Sequence, residues 1–125
     1  MLVDTDVLIW NLRGTIEAAN RLDASPGFQI SAVTYMELVH GMRDKAELRV
    51  LHRALSQWRA NIRHLDTMIS ARASFLIEQY ALGTGLRLAD ALIAATTLEH
   101  GLPLLTGNDR HYRAVDGLEI AHFRP

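Results

Sequence analysis

Short apolar runs and longer amphipathic stretches alternate along the chain. Met1-Leu2-Val3 is a strand-length apolar run that ends at an acid, Asp4. Val7-Leu8-Ile9-Trp10 opens a helical stretch that stops near Gly14, and a second helix is expected over about 16–22, before the turn-forming residues 23–27. Phe28-Gln29-Ile30 predicts the next strand. Ser31 and Thr34 are both good helix N-caps, and Met36, Leu38, Val39 and Met42 continue at helical spacing. Leu48, Leu51, Leu55 and Trp58 recur every three or four residues, which predicts an amphipathic helix over 45–62. A short strand at His64-Leu65-Asp66 is followed by a helix over 67–82, closed by Gly83 and Gly85. A strongly apolar helix over 88–100 has Gly101 just past its end. Pro103-Leu104-Leu105-Thr106 is a strand, 107–110 a loop, and Leu118-Glu119-Ile120-Ala121 a last edge strand.

Strands separated by helices imply βα units: an α/β fold of three α/β/α layers with a mostly parallel sheet, as one domain over 1–125. In such open sheets the ligand crevice lies at the carboxyl ends of the strands. Asp4, Ser31 and Thr106 each close a predicted strand and are therefore expected along one edge.

Composition narrows the class. Apolar residues make up 49% of the chain, and the run 91–95 is far short of the roughly 20 residues that a membrane span needs. The first residues lack the basic stretch and long apolar run of a signal peptide. Cysteine is absent, which excludes thiolate metal sites and fits a reducing cytoplasm. The formal net charge is −1, so no global basic field announces nucleic acid. Among the thirteen basic residues Lys45 is the one lysine. Arginine suits phosphate recognition, although a compositional bias of the genome gives the same excess.

The candidate chemistry is acidic. Asp4-Thr5-Asp6 sets two carboxylates directly after a buried strand, where desolvation is costly unless they are paired. Asp6 or Thr5 could cap the following helix, but that leaves Asp4 unexplained. Thr34-x-x-Glu37 matches a capping box, while Glu37 also lies one turn into a helix that starts at the ligand edge. Asp90 sits in the apolar Leu88-Ala89-Asp90-Ala91-Leu92-Ile93-Ala94-Ala95, either as a functional acid or as a first-turn residue favoured by the helix dipole. Thr106-Gly107-Asn108-Asp109 is a common turn sequence that lands on the same edge as Asp4. Together Asp4, Glu37, Asp90 and Asp109, with Asp6 and Asn108 nearby, form a carboxylate cluster. Crowded acids repel unless a cation neutralises them, and all-oxygen donors suit Mg²⁺ or Mn²⁺. Such a site is equipped for phosphodiester hydrolysis. The six histidines never occur at HxxxH spacing, and His111 and His122 read as surface or edge residues.

These motifs resemble the PIN-domain nucleases, and in order, spacing and length most of all the bacterial VapC-type toxins. The resemblance runs through Leu2-Val3-Asp4-Thr5-Asp6-Val7-Leu8-Ile9, Ser31-x-x-Thr34-x-x-Glu37-Leu38, Ala89-Asp90-x-x-Ile93-Ala94-Ala95 and Leu104-Leu105-Thr106-Gly107-Asn108-Asp109, and on to Val115-Asp116-Gly117-Leu118-Glu119-Ile120. It implies a Mg²⁺- or Mn²⁺-dependent endoribonuclease acting as the toxin of a toxin–antitoxin pair. It also implies a homodimer and a small VapB-like antitoxin that occludes the site. Asp4, Glu37 and Asp90 fall on three acids of the family. The fourth is Asn108 or a neighbour, with Asp109 favoured on charge. Asp6 departs from the family, in which asparagine or serine is frequent at that position. Thr5 and Thr106, with Asp6 and Asn108, match polar positions that help to hold metal or substrate.

Two other readings stand beside this one. Asp4-Thr5-Asp6-Val7 also fits the opening motif of haloacid-dehalogenase-type phosphatases, and Leu104-Leu105-Thr106 imitates their second. Those enzymes need a lysine followed by a late acidic pair; Lys45 precedes Thr106, and no such pair follows it. The third reading is a PIN-like binding module with weakened catalysis, for which Asn108 leaves room.

Overall fold

The computed structural model describes residues Met1–Pro125. Its elements in chain order are β1 (Leu2–Val3), α1 (Thr5–Leu12), α2 (Ile16–Asp23), β2 (Gln29–Ser31), α3 (Ala32–His40), α4 (Lys45–Gln57), β3 (Asn61–Arg63), α5 (Thr67–Thr84), α6 (Leu88–Glu99), β4 (Leu104–Thr106), α7 (Asp109–Tyr112) and β5 (Ile120–His122). The five strands form one sheet in the order β3-β2-β1-β4-β5, and every pairing is parallel.

The side-chain period of a strand divides the core in two. Leu2 and Leu104 face a cluster built on Ile69, Ala73 and Leu76 of α5 and Ala91, Ile93 and Ala94 of α6. Their neighbours Val3 and Leu105 face the opposite cluster, with Val7 and Leu8 of α1, Ala18 and Leu22 of α2, and Leu51 and Leu55 of α4. Alternate residues of one strand thus feed opposite layers, which gives the expected three-layer α/β/α fold. No helix is long and apolar enough to cross a membrane.

Chain order reverses direction at β1. The chain runs from β1 outward through β2 to β3, then returns to the other side of β1 for β4 and β5. The carboxyl ends of β1 and β4 flank this switch point, the usual ligand crevice of an open parallel sheet. Asp4 N–H donates to the Leu105 carbonyl at 2.9 Å, which ties the two strand ends together.

Several boundaries differ from the sequence expectation. The periodicity that carries α4 toward Ile62 is interrupted at Arg59, whose φ of 55° is left-handed. The helix therefore ends at Gln57, and 61–63 are freed to pair with β2, Ile62 opposite Ile30. The strand expected at His64-Leu65-Asp66 is not formed; Asp66 instead caps α5, accepting from Ile69 N–H at 2.9 Å. Helix α5 runs through Gly83 and closes at Gly85, in the left-handed region at φ 74°. The last strand begins two residues later than expected and ends one later, at Ile120–His122. The turn expected at 107–110 already begins helix α7 at Asp109.

Candidate active site

The end of β1 turns directly into α1, and the residue at that corner is Asp4. It caps α1 itself, its Oδ1 accepting from Thr5 N–H at 2.8 Å, so the cap is neither Asp6 nor Thr5. Its Oδ2 accepts from the Thr106 hydroxyl at 2.8 Å, across from the end of β4. Thr106 in turn accepts from Asn108 N–H at 3.0 Å, which fixes the β4–α7 turn relative to Asp4. Burial first, and the Asp6 carboxylate second, push the Asp4 pKa up to about 7 despite these donors.

In the first turn of α1, Asp6 Oδ2 accepts from Gly107 N–H at 3.0 Å, whereas its Oδ1 is buried with no partner. Burial raises its pKa as well, with a further contribution from Asp90. Asp90 lies in the first turn of α6 rather than in the helix interior. Its Oδ2 accepts from Arg87 N–H at 3.2 Å, so the first-turn reading of this acid holds. The same carboxylate faces inward: Oδ1 accepts from the Tyr112 hydroxyl at 3.3 Å. Asp4, Asp6 and Asp90 therefore act electrostatically as one cluster.

Glu37 stands beside it. The capping box Thr34-x-x-Glu37 is not formed, because Ser31 caps α3 through Val33 N–H and Thr34 lies buried within the helix. Glu37 Oε1 instead accepts from the Thr5 hydroxyl at 2.8 Å, and the Thr5 and Thr34 hydroxyls are 3.0 Å apart. A hydroxyl has one proton to give, so with Thr5 committed to Glu37 the Thr34 hydroxyl supplies the second bond. Thr5 and Thr106 are thus occupied in orienting carboxylates. Asp109 is turned toward β5, its Oδ1 3.6 Å from His122 Nε2.

The whole of this framework coincides with a known family. The PIN-domain family model matches residues 1–118. This chain belongs to the PIN-domain family. Ribonuclease VapC10 of Mycobacterium tuberculosis is 35% identical to this PIN domain over 123 residues, 95% of this chain and 90% of that protein. A chain of a toxin–antitoxin complex from Klebsiella pneumoniae is 32% identical, with a TM-score of 0.80 over 96% of this chain and 94% of that one. A chain of the DNA-bound VapBC structure from Salmonella typhimurium, at 23% identity, shares the fold with a TM-score of 0.85 over 97% and 96%. The resemblance to the VapC-type members read from the four motifs is thereby borne out.

Two residues of this PIN domain beside the acids were not assigned to the site from the sequence. Tyr112 is fully buried and sets its hydroxyl against the acids; burial and the Asp4 and Asp90 carboxylates raise its pKa beyond the ordinary tyrosine range. Its i, i+3 partner Val115, also buried, was the one available signal. His111, expected at the surface, is drawn in: its Nδ1 lies 3.2 Å from Asp90 Oδ2 and 3.0 Å from the Asn108 side-chain amide.

Beside Glu37 an open groove of about 560 Å³ runs between α1 and the α3–α4 region, lined by Ile9, Leu12, Leu38, Met42 and Val50 with Arg13 and Arg43. Its charged lining is balanced, Arg13 and Arg43 against Glu37 and Glu47, with Arg43 paired to Glu47 at 2.9 Å.

Proposed function

We propose that this chain is a Mg²⁺- or Mn²⁺-dependent endoribonuclease, the toxin of a toxin–antitoxin pair, restrained by a small VapB-like antitoxin. The observation that carries this reading is the convergence of Asp4, Asp6 and Asp90 at the sheet's switch point, in a chain 35% identical to a ribonuclease. A cellular RNA substrate makes the cytoplasm its place of action.

The acids suit a hard cation on two grounds. Asp6 Oδ1 is a buried carboxylate oxygen without a donor, a position that costs free energy unless positive charge is supplied. The raised Asp4 pKa likewise reports negative charge in want of a counter-ion. No three of the carboxylates and imidazoles yet enclose an ion-sized space, so binding would draw the acids inward. Asp4, Asp90 and Asp6 would hold the ion, Glu37 would lie at its flank, and Asp109 is the weaker candidate for a fourth acid because of its turn toward His122. A divalent cation bound there supplies Lewis acidity toward a phosphodiester and a water of lowered pKa.

The remaining work falls to the chain. The Thr106 hydroxyl and Thr5 N–H hold the two oxygens of Asp4, and the Thr5 hydroxyl holds Glu37, which limits the orientations these acids must search. Arg13 beside the groove offers a guanidinium group to RNA phosphates, whereas Arg43 is paired with Glu47. The apolar floor of the same groove fits a hydrophobic segment of an antitoxin, which would block access past Glu37.

The test is cleavage of RNA by the purified chain with and without Mn²⁺ or Mg²⁺, alongside Asp4→Asn and Asp90→Asn. Cation-dependent cleavage is expected, with both variants folded and inactive, and growth arrest on expression that a co-expressed antitoxin relieves. Cleavage that survives chelation would overturn the metal assignment. A folded chain that binds RNA or antitoxin but cleaves nothing would favour the binding-module reading. The phosphatase reading loses its ground with the family assignment, and Lys45, the lysine it would need, is exposed at the start of α4.

A further inference from the structure

We propose that Tyr35 and His52 form a base-stacking platform for single-stranded RNA, with Lys45, Arg49 and Arg53 beside it as phosphate contacts. The inference rests on the ribonuclease reading above and adds to it the surface along which the substrate lies.

The two rings meet edge to edge. Tyr35 Oη and His52 Nε2 are 2.7 Å apart, the ring planes differ by 7°, and the centroids are 6.1 Å apart. Atoms in near-parallel planes cannot approach more closely than the planes do, so these planes are separated by little more than the hydrogen bond at most. Rings in contact face to face need about 3.5 Å. The rings therefore lie side by side, and the hydrogen bond joins them into one nearly flat surface two rings wide. Tyr35 is half-buried and packs against the core cluster that α4 covers, whereas His52 is exposed. The surface is anchored at one end and open to solvent at the other. Tyrosine and histidine both accept unstacked bases on their faces, whatever the base.

The charge around this pair is of one sign. Between Glu47 and Asp66 the chain has no acid but four arginines and two histidines. At 3.6 residues per turn, Lys45, Arg49, His52 and Arg53 fall within about 100° of the circumference of α4. Leu51 and Leu55 enter the core, and Glu47 and Val50 line the groove on the opposite flank. Lys45, Arg49 and Arg53 are exposed and in no ion pair, unlike Arg43. Free cations beside a flat aromatic surface suit a single strand, which offers phosphates to the one and a base to the other. The place is also right. Tyr35 and Glu37 both belong to α3, and Glu37 stands at the flank of the acids, bonded to Thr5. Two residues apart, they occupy different sides of a helix about 10–12 Å across. A strand held at the platform crosses α3 to the acids within a few nucleotides.

A pair that merely ties α4 to α3 would make the same hydrogen bond, so the test reads the base itself. The probe is an oligouridylate carrying one central 2-aminopurine, whose fluorescence is quenched on stacking. It is bound to the Asp90→Asn chain in Mg²⁺, where it stays uncut. Quenching at saturation is expected, and His52→Ala in that background should abolish it and weaken binding about tenfold. Tyr35→Phe, which keeps the ring but not the bond, should lose part of the quenching. Arg49→Ala with Arg53→Ala should reduce the slope of log affinity against log salt by about 1.4. Arg72→Ala, in the opposite helix layer, should leave that slope near the parent value. RNA bound without quenching, or quenching that survives His52→Ala, overturns the platform and leaves the nuclease reading standing. A salt slope that the two arginines do not move overturns the phosphate contacts. Variants that bind RNA normally but lose the antitoxin give this surface to the protein partner and overturn the proposal too. If the parent binds no RNA and the unsubstituted chain cleaves none, the nuclease reading falls with it. His52, Arg49 and Arg53 lie outside the core, so these variants keep the fold.

Discussion

Asp4 carries opposing structural and chemical demands. As the cap of α1 it needs one acceptor oxygen, which an amide supplies as well as a carboxylate; toward Thr106 it needs a second, which an amide lacks, and as part of the acid cluster it needs charge. Its folded-state pKa of about 7 lies above the ordinary value of 3.8, so the folded chain retains a proton that the unfolded chain has released. The contribution to stability is therefore fully present below the unfolded pKa, declines as pH rises from about 4, and is gone above about 7. Asp6 is shifted in the same direction and reinforces the trend. Metal-free wild type should lose stability between pH 5 and pH 8, and Asp4→Asn should lose much less. At pH 8 the variant is expected to be more stable by up to about 4 kcal/mol, from about 1.4 kcal/mol per tenfold change in proton affinity. Urea denaturation at the two pH values checks this; a stability difference between variant and wild type that does not change with pH would refute it. The sequence pointed to Asp6 or Thr5 as the cap and set Asp4 apart, whereas Asp4 is itself the cap of α1 and holds Thr106 with its second oxygen. It gave no sign of His111, because a lone histidine in a polar turn has no local pattern and its partner Asp90 belongs to another helix.

Among the elements, two turns were the least legible, β4–α7 at the sheet's carboxyl edge and α4–β3 at its amino edge, and both are set by backbone features. At the β4–α7 turn, Gly107 lies against the Trp10 ring and the Phe123 carbonyl, where a methyl group would overlap the ring. Its N–H must also meet Asp6. Gly107→Ala should therefore push the turn outward and cost about 1–3 kcal/mol, with cleavage lost as Asp6 and Asn108 lose their registration. Adding Trp10→Leu should recover part of the stability; strict additivity of the two changes would argue that the clash is not the cause. At the α4–β3 turn, Arg59 holds a positive φ that a side chain tolerates poorly, at about 1–2 kcal/mol. Arg59→Gly should raise stability by up to about 1 kcal/mol, the relief being partly offset by the greater freedom of glycine in the unfolded chain. A fall in the denaturation midpoint would show that the Arg59 side chain is doing something else. Neither turn was readable because apolar periodicity continues through Trp58 to Ile62 and because the cost of a Cβ at Gly107 depends on Trp10, a residue far away in the chain. The long periodic elements, α5 and α6 above all, were legible within a few residues.

For the whole molecule, a homodimer would have to use a different face from the one that first suggested it. Leu48, Leu51, Leu55 and Trp58 complete the monomer's own core: Leu51 and Leu55 are buried, and the other two pack against that cluster. An unpartnered apolar stripe lies on α5, which buries Ile69, Ala73 and Leu76 while exposing Met68, Phe75 and Leu82. Those three stand seven residues apart and so line one stripe of the helix. Their exposures of 62, 60 and 103% are high for large apolar side chains in a row, and a contiguous stripe of this kind is commonly covered. A second copy is the economical cover, since a helix stripe set against its twin about a two-fold axis buries both at once. The chain should therefore be a dimer at micromolar concentration by light scattering. Phe75→Glu with Leu82→Glu should yield a folded monomer, because neither side chain belongs to the core and two buried carboxylates at a symmetric contact repel. The antitoxin is the competing cover: if the chain alone is monomeric and the α5 stripe becomes protected from hydrogen exchange only in the toxin–antitoxin complex, the stripe serves that partner. A dimer unaffected by the two glutamates would place the interface elsewhere and leave the exposed stripe of α5 without a role.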